Sequence, residues 1–245
     1  MIQLSKRLQA VADLLVQETK KREILCVADV GTDHGYIPIY LVEQEICKSA
    51  IAMDINKGPL QRAKEHIELH GLGDYIQTRL SDGLAALNRE EVSAIVIAGM
   101  GGATMSNILE AGKAVITEDT LLILQPQSEL MEFRTYLQEN HFEILQEDMV
   151  QEDGKYYPMM KVRKFSKDMA CKSYSANELL YGPLLLQEKH PILKEFLLWQ
   201  LSQKEKILVQ LEKNAGEGTK EKRVREVEAE LEGIKQTLEV VTSRL

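Results

Sequence analysis

Apolar positions along this chain change their period repeatedly, from helical to extended and back. From Ser5 to Thr19 the residues Leu4, Leu8, Val11, Ala12, Leu14 and Leu15 recur with a helical period, with polar positions between them. Ile24–Val30 is an apolar run with one acid near its end, as expected of a buried strand. A helix over Tyr36–Glu45, a strand over Ser49–Asp54, a helix over Pro59–His70 with proline in its first turn, and a strand over Tyr75–Leu80 follow. Val92–Ala98 is an almost purely apolar strand that leads through Gly99-Met100-Gly101-Gly102 into a helix over Ala103–Ala111. A strand over Leu121–Leu124 and a helix over Ser128–Asn140, with Ser128 as its candidate cap, come next. Phe142–Val150 and Tyr156–Arg163 are separated only by Gln151–Lys155, and Glu-Asp-Gly at that spacing predicts a β-hairpin. Strands without polar alternation need cover on both faces. The pattern therefore predicts an α/β fold around a parallel sheet whose last βα unit is followed by a reversed strand.

The pattern changes after about residue 165. Lys167–Ala176 is polar and linker-like, and the remainder reads as helical. Val224, Val227, Leu231, Ile234, Leu238, Val241 and Leu245 recur at alternating spacings of three and four, the seam of a helix that packs against another. Ile192–Leu211, with Leu193, Phe196, Leu197, Leu201, Leu208 and Leu211 on one side, supplies a partner, and Asn214–Thr219 breaks the two apart. Two domains are expected, 1–165 and 166–245, the second an antiparallel helical hairpin within one chain. A parallel dimer through Val224–Leu245 is the competing arrangement, disfavoured because it leaves the first helix without a partner.

Composition narrows the function. At 245 residues and 44% apolar the chain can bury one sizeable core and a smaller appendage. No apolar stretch approaches a membrane span, and the N-terminus lacks the apolar core of a signal peptide, so a cytoplasmic protein is expected. Cys26, Cys47 and Cys171 form no CxxC pair, which argues against a disulfide framework or a zinc knuckle. The net charge of −8 argues against indiscriminate nucleic-acid binding but leaves room for a local basic patch. Two basic clusters stand out: Lys20-Lys21-Arg22 with Lys6-Arg7 upstream, and Lys161, Arg163, Lys164, Lys167 and Lys172, opposed only by Asp168.

The candidate chemistry lies where strands meet glycines. In Asp29-Val30-Gly31-Thr32-Asp33-His34-Gly35-Tyr36 a buried strand hands over to a helix through a turn that a ligand can approach closely. Asp54 ends the second strand, nineteen residues beyond Gly35, where nucleotide-binding sheets hold a ribose. A dinucleotide needs G-x-G-x-x-G for its pyrophosphate, and the second glycine position is Asp33 here. S-adenosylmethionine carries no phosphate, and its cationic tail suits Asp29 and the acids near the turn, so the methyl donor is favoured over NAD. Ser81-Asp82-Gly83 follows the third strand; Asp82 either accepts from the exocyclic amine of adenine or merely opens a helix over Leu84–Asn88. Gly99, Gly101 and Gly102 either leave room for a flat base or relax a helix entry, and their position at the sheet's carboxyl edge favours the first. Gln125-Pro126-Gln127 closes the fifth strand and can add an amide to this rim. His34 is either a general base with Asp33 alongside or a residue that orients the glycine turn. His66 and His70, four apart on one helix, lack a third ligand, so no metal site is expected.

Repeated βα units that close with an inserted reversed strand are the usual build of class I methyltransferases. The expected fold is α/β: a Rossmann-like class I methyltransferase sheet with a C-terminal antiparallel helical (coiled-coil) hairpin. The chain moreover resembles the bacterial tRNA (adenine-22-N1)-methyltransferase family, TrmK. The resemblance rests on Leu4-Ser5-Lys6-Arg7-Leu8, on Asp29–Pro38, on Ile97-Ala98-Gly99-Met100-Gly101-Gly102, on Ile108–Gly112 and on Leu122-Ile123-Leu124-Gln125-Pro126. It implies an S-adenosyl-L-methionine site at Gly31, Asp33, His34, Gly35 and Asp54, to which the residue-level reading adds Asp29, Asp82, Gly83 and Gly99. It also implies tRNA as partner, held with the help of a C-terminal coiled-coil pair. The basic cluster at Lys161–Lys172 is where tRNA phosphates are expected. For the base pocket the expected residues are Asp29, His34, Tyr36, Met100, Gly101 and Gln125, with Tyr36 as a stacking face. Adenine N1 has an in-plane lone pair and needs no deprotonation, so the site mainly aligns the reactants, and a paired target must first be opened. An NAD-dependent oxidoreductase and a non-enzymatic RNA-binding scaffold are the competing functions.

Overall fold

The computed structural model describes residues 2–19, 23–166, 172–213 and 219–243. Lys20-Lys21-Arg22, Lys167, Asp168, Cys171, the 214–218 break and Leu245 lie outside the described residues. Contacts divide the chain into two compact units, Met1–Leu180 and Tyr181–Leu245, a division that falls later than the change in composition near 165.

The first unit alternates α1 (Lys6–Thr19), β1 (Cys26–Val30), α2 (Tyr36–Glu43), β2 (Ser49–Asp54), α3 (Lys57–Leu69), β3 (Ile76–Leu80), β4 (Ala94–Met100), α4 (Gly102–Ala111), β5 (Leu121–Pro126) and α5 (Leu130–Glu139), then β6 (Phe142–Glu152) and β7 (Lys155–Lys164). The sheet order is β3-β2-β1-β4-β5-β7-β6, parallel through β5, with β7 antiparallel to both β5 and β6. This is the Rossmann-like sheet with an inserted reversed strand that the periodicity predicts. Helices cover it: α1 packs on β5, β6 and β7, while α2 and α3 pack on β2 and β3. All six residues of β5 and Ala94–Ile97 of β4 are buried, which is why these strands carry no polar alternation.

Five local features differ from expectation. No helix forms over 84–88; residues 83–86 make a turn in which the Ser81 hydroxyl donates to the Gly83 carbonyl (2.9 Å) and accepts from the Ala86 N–H (3.1 Å). β4 runs on to Met100 because Gly99, at φ +83°, makes a bulge that the register crosses between Ala98 and Met100. Ser128 does not cap α5; Glu129 stands at its N-terminus in a left-handed conformation (φ 55°), and its carboxylate accepts from Ala103 N at 3.0 Å instead. The hairpin turn is Asp153-Gly154, with φ 48° and 72°, a two-residue loop of the kind that matches strand twist. Lys161 of the basic cluster is only 3% exposed and so adds nothing to a surface patch.

The second unit contains α7 (Pro183–Gln187), α8 (Pro191–Lys213) and α9 (Thr219–Thr242); α6 (Ala176–Tyr181) ends at its boundary. The Lys189 amine reaches the Ser243 carbonyl (2.7 Å), and Lys204 pairs with Glu230. The two pairs give nearly equal sums of residue numbers, so α8 and α9 run antiparallel. Val227, Leu231, Ile234, Leu238 and Val241 of the seam are buried, as are Leu193 and Leu197 of α8.

Candidate active site

The carboxyl ends of β1 to β4 bring their loops together around a cavity of about 630 Å³, of the size small-molecule sites take. The β1–α2 turn is anchored first. Gly31 N and Thr32 N both donate to the Met53 carbonyl at 2.8 Å, which ties the turn to the end of β2. Gly31 has φ +80°, and a Cβ there would run into the Met100 side chain. The left-handed backbone is what asks for glycine here; the Met100 methyl, at the end of a flexible side chain, can move aside.

Gly31, Asp54, Asp82, Gly83, Gly99 and Met100 of the expected site line this one cavity. Asp54 uses one carboxylate oxygen to accept from Asn56 N (2.7 Å), leaving the other for a ligand. The loop bearing Asp82 is held from below by a bidentate pair, Arg79 Nη1 and Nη2 to the Glu91 carboxylate at 3.0 and 2.7 Å. Arg79 also donates to the Ala86 carbonyl at 2.9 Å. The Arg79 hydrogen bonds hold the Glu91 carboxyl down to about 2.

The other expected residues lie around the cavity rather than on its wall. Asp29 is buried (6% exposed) within β1, and burial pushes its carboxyl up to about 6; Thr32 opposes the shift and the charge of Asp54 adds to it. Asp33 pairs with Arg62 of α3 and lies 3.3 Å from His34 Nε2, so its charge is engaged by α3 and by its neighbour in the turn. Gly35 is left-handed (φ 71°) at the N-terminus of α2. His34 stacks on Tyr36 with centroids 5.2 Å apart and an interplanar angle of 12°. His66 stacks on His34 at 5.4 Å while its Nδ1 lies 3.1 Å from the His34 carbonyl. Tyr36, 39% exposed, gives this cluster an open aromatic face. His70 bonds Glu43 at 2.6 Å, and among the described residues no group of three or more His, Cys, Asp or Glu could hold a metal.

Gln125 and Gly101 take structural contacts. The Gln125 amide is fully buried; its Oε1 accepts from Gly99 N (3.2 Å) and from Arg7 Nη1 (2.9 Å), and its Nε2 donates to the Pro126 carbonyl (3.1 Å). A Cβ on Gly101 would lie 2.9 Å from Ser128 Oγ, and one on Gly102 2.8 Å from two carbonyls of the β5–α5 turn. Close packing explains these two glycines; Gly99 is the one that stays open. Sequence reasoning missed the lining residues Ile55, Asn56, Asn107 and Ile108 and the reach of Arg7. Asn56 and Asn107 were findable by their nearness to Asp54 and to the glycine cluster. The sequence marks Arg7 only within a basic pair and a family motif, and its partner Gln125 is 118 positions away.

A family model described as tRNA (adenine(22)-N(1))-methyltransferase, TrmK, matches residues 27–236. The chain belongs to that family. Among relatives of this TrmK chain, the Bacillus subtilis tRNA (adenine(22)-N(1))-methyltransferase is 33% identical over 97% of the chain and 98% of its own length. Streptococcus pneumoniae Sp1610, crystallised in complex with S-adenosyl-L-methionine, superposes with a TM-score of 0.79 at 34% identity, covering 96% of the TrmK chain and all (100%) of its own. M. capricolum TrmK in complex with S-adenosyl-homocysteine gives a TM-score of 0.78 at 27% identity over 97% and 99% of the two chains. No helix among the described residues of the TrmK chain is long and apolar enough to cross a membrane.

Proposed function

We propose that this protein transfers a methyl group from S-adenosylmethionine to N1 of adenine 22 in tRNA, acting in the cytoplasm as a monomer. The observation that carries the reading is a glycine-floored cavity at the sheet's carboxyl edge whose wall bears Asp54 and Asp82 and no basic side chain. Such a wall accepts hydroxyl and amine donors and repels a pyrophosphate, which favours the methyl donor over a dinucleotide. Asp54 accepts from the ribose hydroxyls, Asp82 accepts from the adenine amine, and Ile55 and Ile108 offer apolar faces to the ring. Gly31 and Gly99 let the methionine end lie against backbone. The bound donor supplies a methyl carbon activated by the adjacent sulfonium, and S-adenosylhomocysteine leaves.

The target adenine approaches past Met100. Its N1 lone pair attacks without prior loss of a proton, so the protein contributes alignment rather than a base. The open face of Tyr36, backed by His34 and His66, is where an extruded base stacks. The β1 and β4 carboxyl ends supply carbonyls and carboxylates near the positive charge left on the methylated ring.

Incubation with methyl-labelled donor and unmodified tRNA, followed by nuclease mapping and mass spectrometry, tests the reading; the label should appear as 1-methyladenosine at position 22. Asp54→Ala should weaken donor binding by about tenfold or more while the fold persists. Label at another position, or donor affinity unchanged in Asp54→Ala, would refute it. NADH titrated in parallel should not bind.

A further inference from the structure

An adenine whose N1 faces the methyl group spends its Watson–Crick edge on the reaction. The adjacent edge then has to tell it from guanine, and there the N6 amine donates beside the N7 acceptor. A side-chain amide, with one acceptor and one donor side by side, matches both. Two amides of the rim are committed elsewhere in this reading. Asn56 and Asn107 line the wall together with Asp54 and Ile108, on the side given to the donor's nucleoside. Gln125 spends its amide on Gly99 N, Arg7 Nη1 and the Pro126 carbonyl.

Gln127 is placed differently. It lies in the turn from β5 to α5, which is tied to the loop from β4 to α4 at three points. Gln127 N donates to the Met100 carbonyl (2.9 Å), Gly102 N to the Ser128 carbonyl (3.1 Å) and Ala103 N to Glu129 Oε2 (3.0 Å). Glu129 reaches that position from a left-handed backbone (φ 55°), unfavourable for a residue with a Cβ, and its Oε2 also accepts from Ser128 Oγ at 3.3 Å. These ties fix the Gln127 backbone beside Met100, which lines the cavity. The Gln127 side chain is exposed, and its amide has no hydrogen-bond partner among the described residues. A Cβ built on Gly99 would lie 3.7 Å from Gln127 Nε2. A free amide on a fixed backbone therefore hangs over the open face of a glycine at the cavity mouth.

We infer that Gln127 selects the target base, its Oε1 accepting from adenine N6 and its Nε2 donating to N7 while N1 faces the methyl carbon. The inference rests on the proposed function, with the cavity as donor site and adenine N1 as nucleophile. The N1 lone pair forms the new N–C bond as the C–S bond breaks with its electrons going to sulfur; N6 keeps both hydrogens and one stays on Oε1. Holding N6 and N7 fixes the ring in its plane and so orients N1. A guanine in the same place sets its O6 against Oε1, two acceptors with no hydrogen between them, which is the kind of mismatch that rejects a substrate strongly.

Methylation kinetics of the full chain on tRNA carrying adenosine or 7-deazaadenosine at position 22 test this, because the analogue keeps N1 and N6 and lacks only the N7 acceptor. The wild type should prefer adenosine by about tenfold in kcat/KM. Gln127→Ala should lose about tenfold on the adenosine tRNA and treat the two substrates alike. Gln127→Glu still accepts from N6 but turns a second acceptor toward N7, so its preference should invert in favour of the deaza tRNA. Calorimetric affinity for S-adenosylmethionine should stay within about twofold of wild type in both variants. Equal rates of the wild type on the two tRNAs, or a preference that survives in Gln127→Ala, would overturn the inference. Lost donor affinity in Gln127→Ala would assign the amide to the methyl donor and equally overturn it. If the wild type leaves adenosine 22 unmethylated, the proposed function itself fails; if it methylates adenosine and 7-deazaadenosine alike, only the role of Gln127 does.

Discussion

Asp29 shows what single residues contribute to this site and what they cost. Burial lifts its carboxyl from 3.8 to about 6. A folded-state value above the unfolded one means a contribution to stability that is complete below pH 3.8 and lost as the pH rises through about 6. At neutral pH the ionised group therefore weakens the fold, and Asp29→Asn should raise unfolding stability there by roughly 1–3 kcal/mol. Thermal melts from pH 4.5 to 8 should show the variant's advantage growing until the pH passes about 6 and levelling above it; a constant difference throughout would remove the linkage. A buried carboxylate beside a cationic donor strengthens binding when ionised, so wild-type donor affinity should rise from pH 5 to 7 and Asp29→Asn should flatten the rise. At this scale the sequence was readable where chemistry is local. Asp54, Asp82 and Gly31 follow strand ends at fixed offsets, and all three line the cavity. Gln125 and Arg7 resisted because their environments are built from β4, β5, β7 and α1, which no spacing along the chain reveals.

At the scale of elements, the loop from Ser81 to Ser93 carries the cavity-lining Asp82 yet has no helix or strand of its own. Its shape depends on Arg79, which clamps Glu91 and the Ala86 carbonyl, while Glu91 Oε2 also accepts from Asn88 N at 2.8 Å. Glu91 titrates near 2 rather than 4.5, so its contribution is present above 4.5 and lost as the pH falls through about 2. Both side chains are partly screened by solvent, which limits the clamp to roughly 1–2 kcal/mol. Arg79→Ala should lower stability by about that amount at neutral pH and weaken donor binding several-fold by freeing Asp82. If chemical denaturation and donor titration leave this variant indistinguishable from wild type, the loop is shaped by something else. The expected helix over 84–88 failed for the same reason: Leu84 and Leu87 look periodic but are buried individually under a turn, and Arg79 takes the carbonyl a helix would use. Long periodic segments were legible throughout. Caps were not, because Glu129 caps α4 from a different element.

At the scale of the whole molecule, alternating strands and helices predicted the sheet, since buried parallel strands impose a composition that survives in any register. Where the first unit ends was less legible, because a change of composition marks where burial declines and not where contacts stop. Arg134, 1% exposed, donates to Glu147 Oε1 at 3.0 Å and to the carbonyls of Leu179 and Leu180 at 2.9 and 3.1 Å. Tyr174 N likewise donates to Gln138 Oε1 at 2.9 Å. Residues 172–180 thus complete the first unit by satisfying a buried cation. Two truncations should therefore behave differently. A chain ending at Leu180 should fold and bind the methyl donor within about threefold of the full protein, because every cavity residue lies in the first unit. A chain ending at Ser166 leaves one arm of the Arg134 guanidinium buried without its carbonyls, at a cost of roughly 2–3 kcal/mol in stability. Calorimetric melts of both, with donor titration of the longer, would be decisive: equal stability would show that water replaces the lost carbonyls. Methylation of tRNA by the longer truncation should fall at least about tenfold if α8 and α9 supply part of the tRNA-binding surface. Full activity without them would confine substrate recognition to the rim around Tyr36 and Met100.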